Sequence, residues 1–80
     1  MLTVSLRDTV FLFFMRLTIN GKEVETTSTT VGELLGELGI LSGRVAVEVN
    51  LSIVKKPEYA TFSLCEGDTI EIVNFVGGGK

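Results

Sequence analysis

Arg16-Leu17-Thr18-Ile19-Asn20-Gly21-Lys22-Glu23-Val24-Glu25-Thr26 reads as a complete β-hairpin. Polar and apolar residues alternate through Arg16-Leu17-Thr18-Ile19, the pattern of a strand buried on one face. Asn20-Gly21 then supplies the strongest short hairpin signal, because both central positions of a type I′ turn require a positive φ. Lys22 to Thr26 returns as the second strand. A polar connection, Thr27-Ser28-Thr29-Thr30, follows. Thr30 has Glu33 three residues on, the spacing of a capping box in which each side chain satisfies a backbone N–H at the other's position. Val31, Leu34, Leu35 and Leu38 then recur at i, i+3, i+4 and i+7, one apolar stripe of an amphipathic helix. Gly39 stands where a left-handed cap would end it, with Ile40 as the accompanying hydrophobic contact. Glu33 and Glu37 fall on the opposite face and read as solubilising residues first, docking residues second.

Further along, Val45, Val47 and Val49 alternate with Ala46, Glu48 and Asn50, which predicts a third strand. Ile53-Val54 is a short additional strand, stopped by Lys55-Lys56-Pro57 because proline removes a ladder donor. Glu58 to Leu64 reads as irregular or as a single helical turn. Glu66-Gly67-Asp68 is a turn, and Thr69-Ile70-Glu71-Ile72-Val73-Asn74-Phe75 is the last strand. Strand pairs around one helix predict an α+β layer. With the first and last strands parallel at the centre, the fold is a β-grasp, the ubiquitin-like roll: a mixed sheet of four to five strands with one main helix on one face.

Upstream of the hairpin the patterning stops. Residues 1–14 end in Val10-Phe11-Leu12-Phe13-Phe14, an apolar run without alternation. It is far shorter than the ~20 residues that span a bilayer, and it lacks the basic flank and small-residue cleavage site of a secretory signal. Met15 therefore reads as the start of the domain, and residues 1–14 as an extension: an upstream-start artefact, or an extra element packed on the domain. Phe11 to Phe14 could prolong the first strand; Met1 to Asp8 have no such anchor.

Composition narrows the function. Eighty residues make one small domain that buries only roughly 60% of its unfolded-chain surface, too little for a deep substrate pocket. A net charge of −3 with scattered lysines and arginines argues against nucleic acid, whose phosphates demand clustered cations. It suits a basic partner surface instead. Histidine is absent and Cys65 is the single cysteine, so the usual hydrolytic triads and Cys/His zinc sites are ruled out by inventory. A lone cysteine also fits a reducing cytosol. Cys65 itself reads as a small core hydrophobe.

The last strand runs straight into Val76-Gly77-Gly78-Gly79-Lys80. Residues 77–80 read as a flexible tail, following a domain over 15–76. Without a Cβ, glycine passes through a narrow channel and adopts backbone angles closed to other residues, so such a tail can carry a terminal carboxylate into a partner. A frayed terminus is the plainer reading. In the last strand Ile70 and Ile72 are expected to face the helix, leaving Val73 and Phe75 on the opposite face beside the tail. There, with Val76, they would form a docking surface, unless residues 1–14 cover them.

Four blocks in order resemble the ThiS family, the sulfur carriers of thiamine thiazole formation. They are Met15-Arg16-Leu17-Thr18-Ile19-Asn20-Gly21-Lys22, Thr30-Val31-Gly32-Glu33-Leu34-Leu35, Val45-Ala46-Val47-Glu48-Val49-Asn50, and Glu66 to Val73 followed by Phe75-Val76-Gly77-Gly78-Gly79. The resemblance spans Met15 to Gly79. It implies that Gly79 is the working residue, with Gly77, Gly78 and Gly79 threaded into a partner. An E1-like adenylating enzyme of the ThiF type would activate the Gly79 carboxylate with ATP. A persulfide donor would convert it to a thiocarboxylate, and thiazole synthase of the ThiG type would take the sulfur. The carrier would be a cytoplasmic co-substrate, not an enzyme, with no catalytic residue, metal or bound cofactor of its own. Residues 1–14 depart from the family pattern. So does Lys80, which must be trimmed before Gly79 has a free carboxylate. Three other readings share the features: the small subunit of molybdopterin synthase, a plain β-grasp interaction module, and a protein modifier forming isopeptides. Removing residues 1–14 should change the stability measured by chemical denaturation by no more than about 1 kcal/mol; a much larger loss would make the extension part of the core.

Overall fold

The computed structural model describes residues 14–75. The expectations for residues 1–13, Val76 and the glycine tail therefore lie outside the described residues. Strands β1 (Met15–Ile19) and β2 (Lys22–Thr26) are followed by helix α1 (Val31–Glu37), β3 (Val45–Val49), β4 (Ser52–Val54) and β5 (Thr69–Asn74), with single 3₁₀ turns at Ser42–Arg44 and Lys56–Glu58. The sheet has five strands in the order β2-β1-β5-β3-β4. The first and last strands pair in parallel, Thr18 with Thr69 and Ile19 with Ile70, while the remaining neighbours are antiparallel. This is the expected β-grasp.

Alternation decides which side of each strand is buried. Leu17, Ile19, Val45, Val47, Val49, Val54 and Ile70 point to the face that Val31, Leu34 and Leu35 of α1 cover, and together they form the core. Truncating such a side chain, for example Leu34→Ala, removes roughly 2–5 kcal/mol. Tyr59 completes the core from the segment expected to be irregular; its hydroxyl donates to the Val45 carbonyl at 3.2 Å. Burial pushes the Tyr59 phenol above its ordinary range.

The helix ends as its sequence implies. Gly39 takes φ +73°, its N–H donates to the Gly36 carbonyl, and the Ile40 N–H reaches back to the Leu35 carbonyl. These two bonds are the Schellman pattern, and only glycine adopts the left-handed position without a steric cost. Leu38 is the cap residue and is exposed rather than a fourth member of the buried stripe.

Three other expectations need correction. The Thr30 hydroxyl accepts from the Glu33 N–H at 3.1 Å, but the Glu33 carboxylate accepts from the N–H and hydroxyl of Thr29, one residue before the cap. Thr30 itself is engaged in a bridge with Ser63. Glu37 is not a free solvated carboxylate: it accepts from the hydroxyls of Thr26, at the end of β2, and Ser28, two residues on, both buried. Cys65 is exposed, because it opens the turn into β5, where its N–H donates to the Asp68 carboxylate at 2.8 Å. Phe14 lies just before β1 and outside it.

The bonds from Thr29 hold the Glu33 carboxyl below its usual range. A lowered folded value contributes stability that is complete above the unfolded value, about 4.3, and is lost as pH falls through the folded one. The urea midpoint of the wild-type chain should therefore fall more steeply with acidification than that of Glu33→Gln. Thr30→Ala should cost about 1 kcal/mol at neutral pH; equal stability would show that the cap contributes nothing.

Candidate functional site

The site expected from the sequence is the exit of β5. That strand is central, so its backbone is gripped from both sides. On one side β3 pairs with it from Val49–Ile70 to Val45–Asn74, and the Phe75 N–H extends the ladder by donating to the Arg44 carbonyl at 2.8 Å. On the other side β1 ends at Ile19, while β5 continues. The side chain of Asn20 takes over there. Its amide oxygen accepts from the Ile72 N–H at 2.7 Å and its amide nitrogen donates to the Ile72 carbonyl at 3.2 Å. One asparagine side chain thus stands in for the peptide group that a longer β1 would have supplied.

Asn50 performs a matching role at the strand's entry. Its side chain accepts from the Thr69 N–H and donates to the Asp68 carboxylate, both at 2.9 Å, and its own N–H donates to the Thr69 carbonyl at 2.7 Å. Both asparagines hold left-handed angles, φ +49° and +52°, which asparagine tolerates better than most residues. Neither bond set was visible in the sequence, where Asn20 signalled only a turn and Asn50 only the end of a strand.

The side chains of β5 divide as alternation requires. Ile70 is fully buried and Ile72 packs against the core from a half-buried position. Val73 is 56% and Phe75 50% exposed. Val73 sits opposite Ala46 on the sheet face that α1 leaves open, and Glu71 lies opposite Glu48 one pair earlier. The structure therefore brings Val73 and Phe75 together at the end of the strand, as expected. Val76, Gly77, Gly78 and Gly79 lie outside the described residues.

Little at this site could perform chemistry alone. An open groove of about 590 Å³ beside the strand end is lined by Ile19, Asn20, Lys22, Val24, Leu38, Ile40, Val45, Ile72 and Asn74. Lys22 is its one titratable side chain, so it offers no acid–base pair. Among the described residues there is no cluster of three or more potential metal ligands, and no helix is long and apolar enough to cross a membrane. The arrangement can hold a strand rigidly and present whatever follows it.

A five-stranded mixed sheet with parallel first and last strands and one helix on its inner face defines the class: a β-grasp, ubiquitin-like protein. The ThiS family model matches residues 12–79, and the chain belongs to the ThiS family. It is 42% identical over 65 residues to the sulfur carrier protein ThiS of Bacillus subtilis, covering 79% of this chain and 98% of that one. It is 54% identical over 67 residues to the thiazole synthase of Paramagnetospirillum magneticum, covering 82% of this chain but only 21% of that protein. The crystal structure of the thiamine biosynthesis protein ThiS from Geobacter metallireducens superposes with a TM-score of 0.70 at 32% identity, over 81% of this chain and all of that one.

Asn20→Ala should destabilise the fold by about 0.5–1.5 kcal/mol, since the exposed bonds to the Ile72 peptide group are lost. Hydrogen exchange at the Ile72 amide should accelerate more than at Val73, the next residue of β5, which faces β3 on the opposite and intact side of the ladder. Asn20→Gly keeps the left-handed turn and should still show the faster exchange; protection equal to wild type in both variants would remove the clamp.

Proposed function

We propose that this chain is the sulfur carrier for thiazole formation in thiamine biosynthesis, with sulfur carried on the carboxylate of Gly79. The observation that supports it best is the rigid exit of β5. The strand is clamped as far as Phe75 and is followed within two residues by Gly77-Gly78-Gly79. Family membership and the similarity to thiazole synthases support the thiamine pathway over the molybdopterin synthase subunit.

The chemistry follows from what a carboxylate lacks. It is a poor electrophile, so an E1-like enzyme must first join it to the α-phosphate of ATP, releasing pyrophosphate. Persulfide sulfur then attacks the acyl adenylate with AMP leaving, which gives an acyl disulfide; a thiol attacks the donor-side sulfur of that S–S bond, forming a disulfide with the donor and releasing the thiocarboxylate. The resulting thiocarboxylate is a nucleophile that thiazole synthase can use. The chain itself supplies neither acid nor base for these steps; it supplies reach and recognition. Glycines at 77 to 79 leave room for a closely fitting channel, and ordering them costs about 1–2 kcal/mol per residue. Contacts to the tail backbone and docking through Val73, Phe75 and Val76 must offset that cost. In this reading a peptidase removes Lys80, because a carboxylate one residue further on stands up to ~3.6 Å beyond the reactive position.

A chain ending at Gly79 should support ATP–pyrophosphate exchange with its adenylating enzyme and acquire sulfur when a persulfide donor is added. The chain ending at Lys80 should do neither until trimmed. Gly79→Ala in the trimmed form should fold normally and react far more slowly. Adenylation of the Lys80 form as fast as the Gly79 form would overturn Gly79 as the sulfur-bearing residue. Phe75→Ala should keep the fold and weaken docking to the adenylating enzyme or the synthase by on the order of 1–3 kcal/mol, measured by titration calorimetry; unchanged affinity would remove Phe75 from the interface.

A further inference from the structure

The chain turns twice with one geometry and fills it differently. Between β1 and β2, Ile19 pairs with Lys22 and the two turn residues are Asn20 and Gly21, with φ +49° and +85°. Between β3 and β4, Val49 pairs with Ser52 and the turn residues are Asn50 and Leu51, with φ +52° and +73°. Glycine takes the second position freely, whereas a leucine there crowds its Cβ against the following carbonyl oxygen. Packing does not compensate, because Leu51 is 88% exposed. Asn50 already secures the turn through its bonds to Asp68 and Thr69. Asparagine or glycine at position 51 would serve folding better. A strained residue kept without internal packing points to a role outside folding.

Its surroundings indicate that role. Ile53, two residues on, is 72% exposed and sits opposite Glu48, which in turn sits opposite Glu71. The next pair on the same face is Ala46 and Val73. The open sheet face beside the hairpin therefore carries Ile53, Ala46 and Val73, with the carboxylates of Glu48 and Glu71 set among them. We propose that Leu51 is an anchor for thiazole synthase: the β3–β4 hairpin prolongs the docking surface of Val73 and Phe75, and the synthase offers an apolar socket flanked by basic side chains. The inference rests on the sulfur-carrier reading above. The choice of partner comes from the Paramagnetospirillum magneticum relative, in which a region 54% identical to this chain forms part of a thiazole synthase. The charge of the partner surface comes from Glu48 and Glu71.

The test titrates the full chain, Leu51→Asn and Leu41→Asn against the thiazole synthase of the same organism, with urea denaturation of each variant. Leu41 is exposed beside the 3₁₀ turn after α1, away from the open sheet face, and serves as the control. Leu51→Asn should be at least as stable as wild type, because asparagine suits the left-handed position, yet bind about tenfold more weakly. Leu41→Asn should bind like wild type. Binding of Leu51→Asn within about twofold of wild type, or an equal loss in Leu41→Asn, overturns the anchor while leaving the sulfur-carrier reading intact. A wild-type chain that fails to bind the synthase overturns that partner and the anchor with it.

Discussion

The side chain of Asn20 holds together two things the chain needs at once: a tight hairpin and a long central strand. β1 must stop at Ile19 so that the chain can turn into β2, yet β5 must continue past Ile70 to reach the edge of the domain. Left alone, the Ile72 peptide group would face the end of β1 with no protein partner on that side, and the strand's ladder would stop there. The two bonds from Asn20 to Ile72 close that gap. The same residue supplies the left-handed turn and the missing rung of the ladder, so turn and strand exit depend on one side chain.

A rigid exit gives a carrier its physical advantage. A domain that frays before its terminus would have to order both strand and tail on binding, and each residue ordered subtracts from affinity. Here backbone pairing includes Phe75, whose N–H donates to the Arg44 carbonyl. The exposed side chains of Val73 and Phe75 thus stand at the paired end of the strand, next to the point where the tail begins. Catalytic residues are unnecessary in such a molecule, which fits a sequence without histidine. The apolar inner face of the sheet is used up by the core, and the opposite face is left open.

Much of this was legible in the sequence where the signal was local. Asn20-Gly21, the 2-residue alternation of the strands and Gly39 at the helix end each dictate their own few residues, and each was found as expected. The register of β5, with Ile70 buried and Val73 and Phe75 exposed, followed from alternation alone. What escaped was non-local or contradicted a propensity. Asn50-Leu51 carries no hairpin signal, because leucine is a poor choice for φ +73°, so the second hairpin was seen as two strands without their turn. Glu37 looked solvated because nothing near it in sequence reveals that Thr26 and Ser28 lie beneath it. Cys65 looked like core because it follows an apolar run, whereas the turn into β5 points it outward. Tyr59 joined the core from a segment without periodicity, through tertiary contacts that no window of sequence contains.

The intact mass of the protein purified from its own host during thiamine limitation tests the central claim most directly. The account predicts a species ending at Gly79 in which one oxygen of the terminal carboxylate is replaced by sulfur. A population that retains Lys80 throughout and carries no sulfur would contradict it.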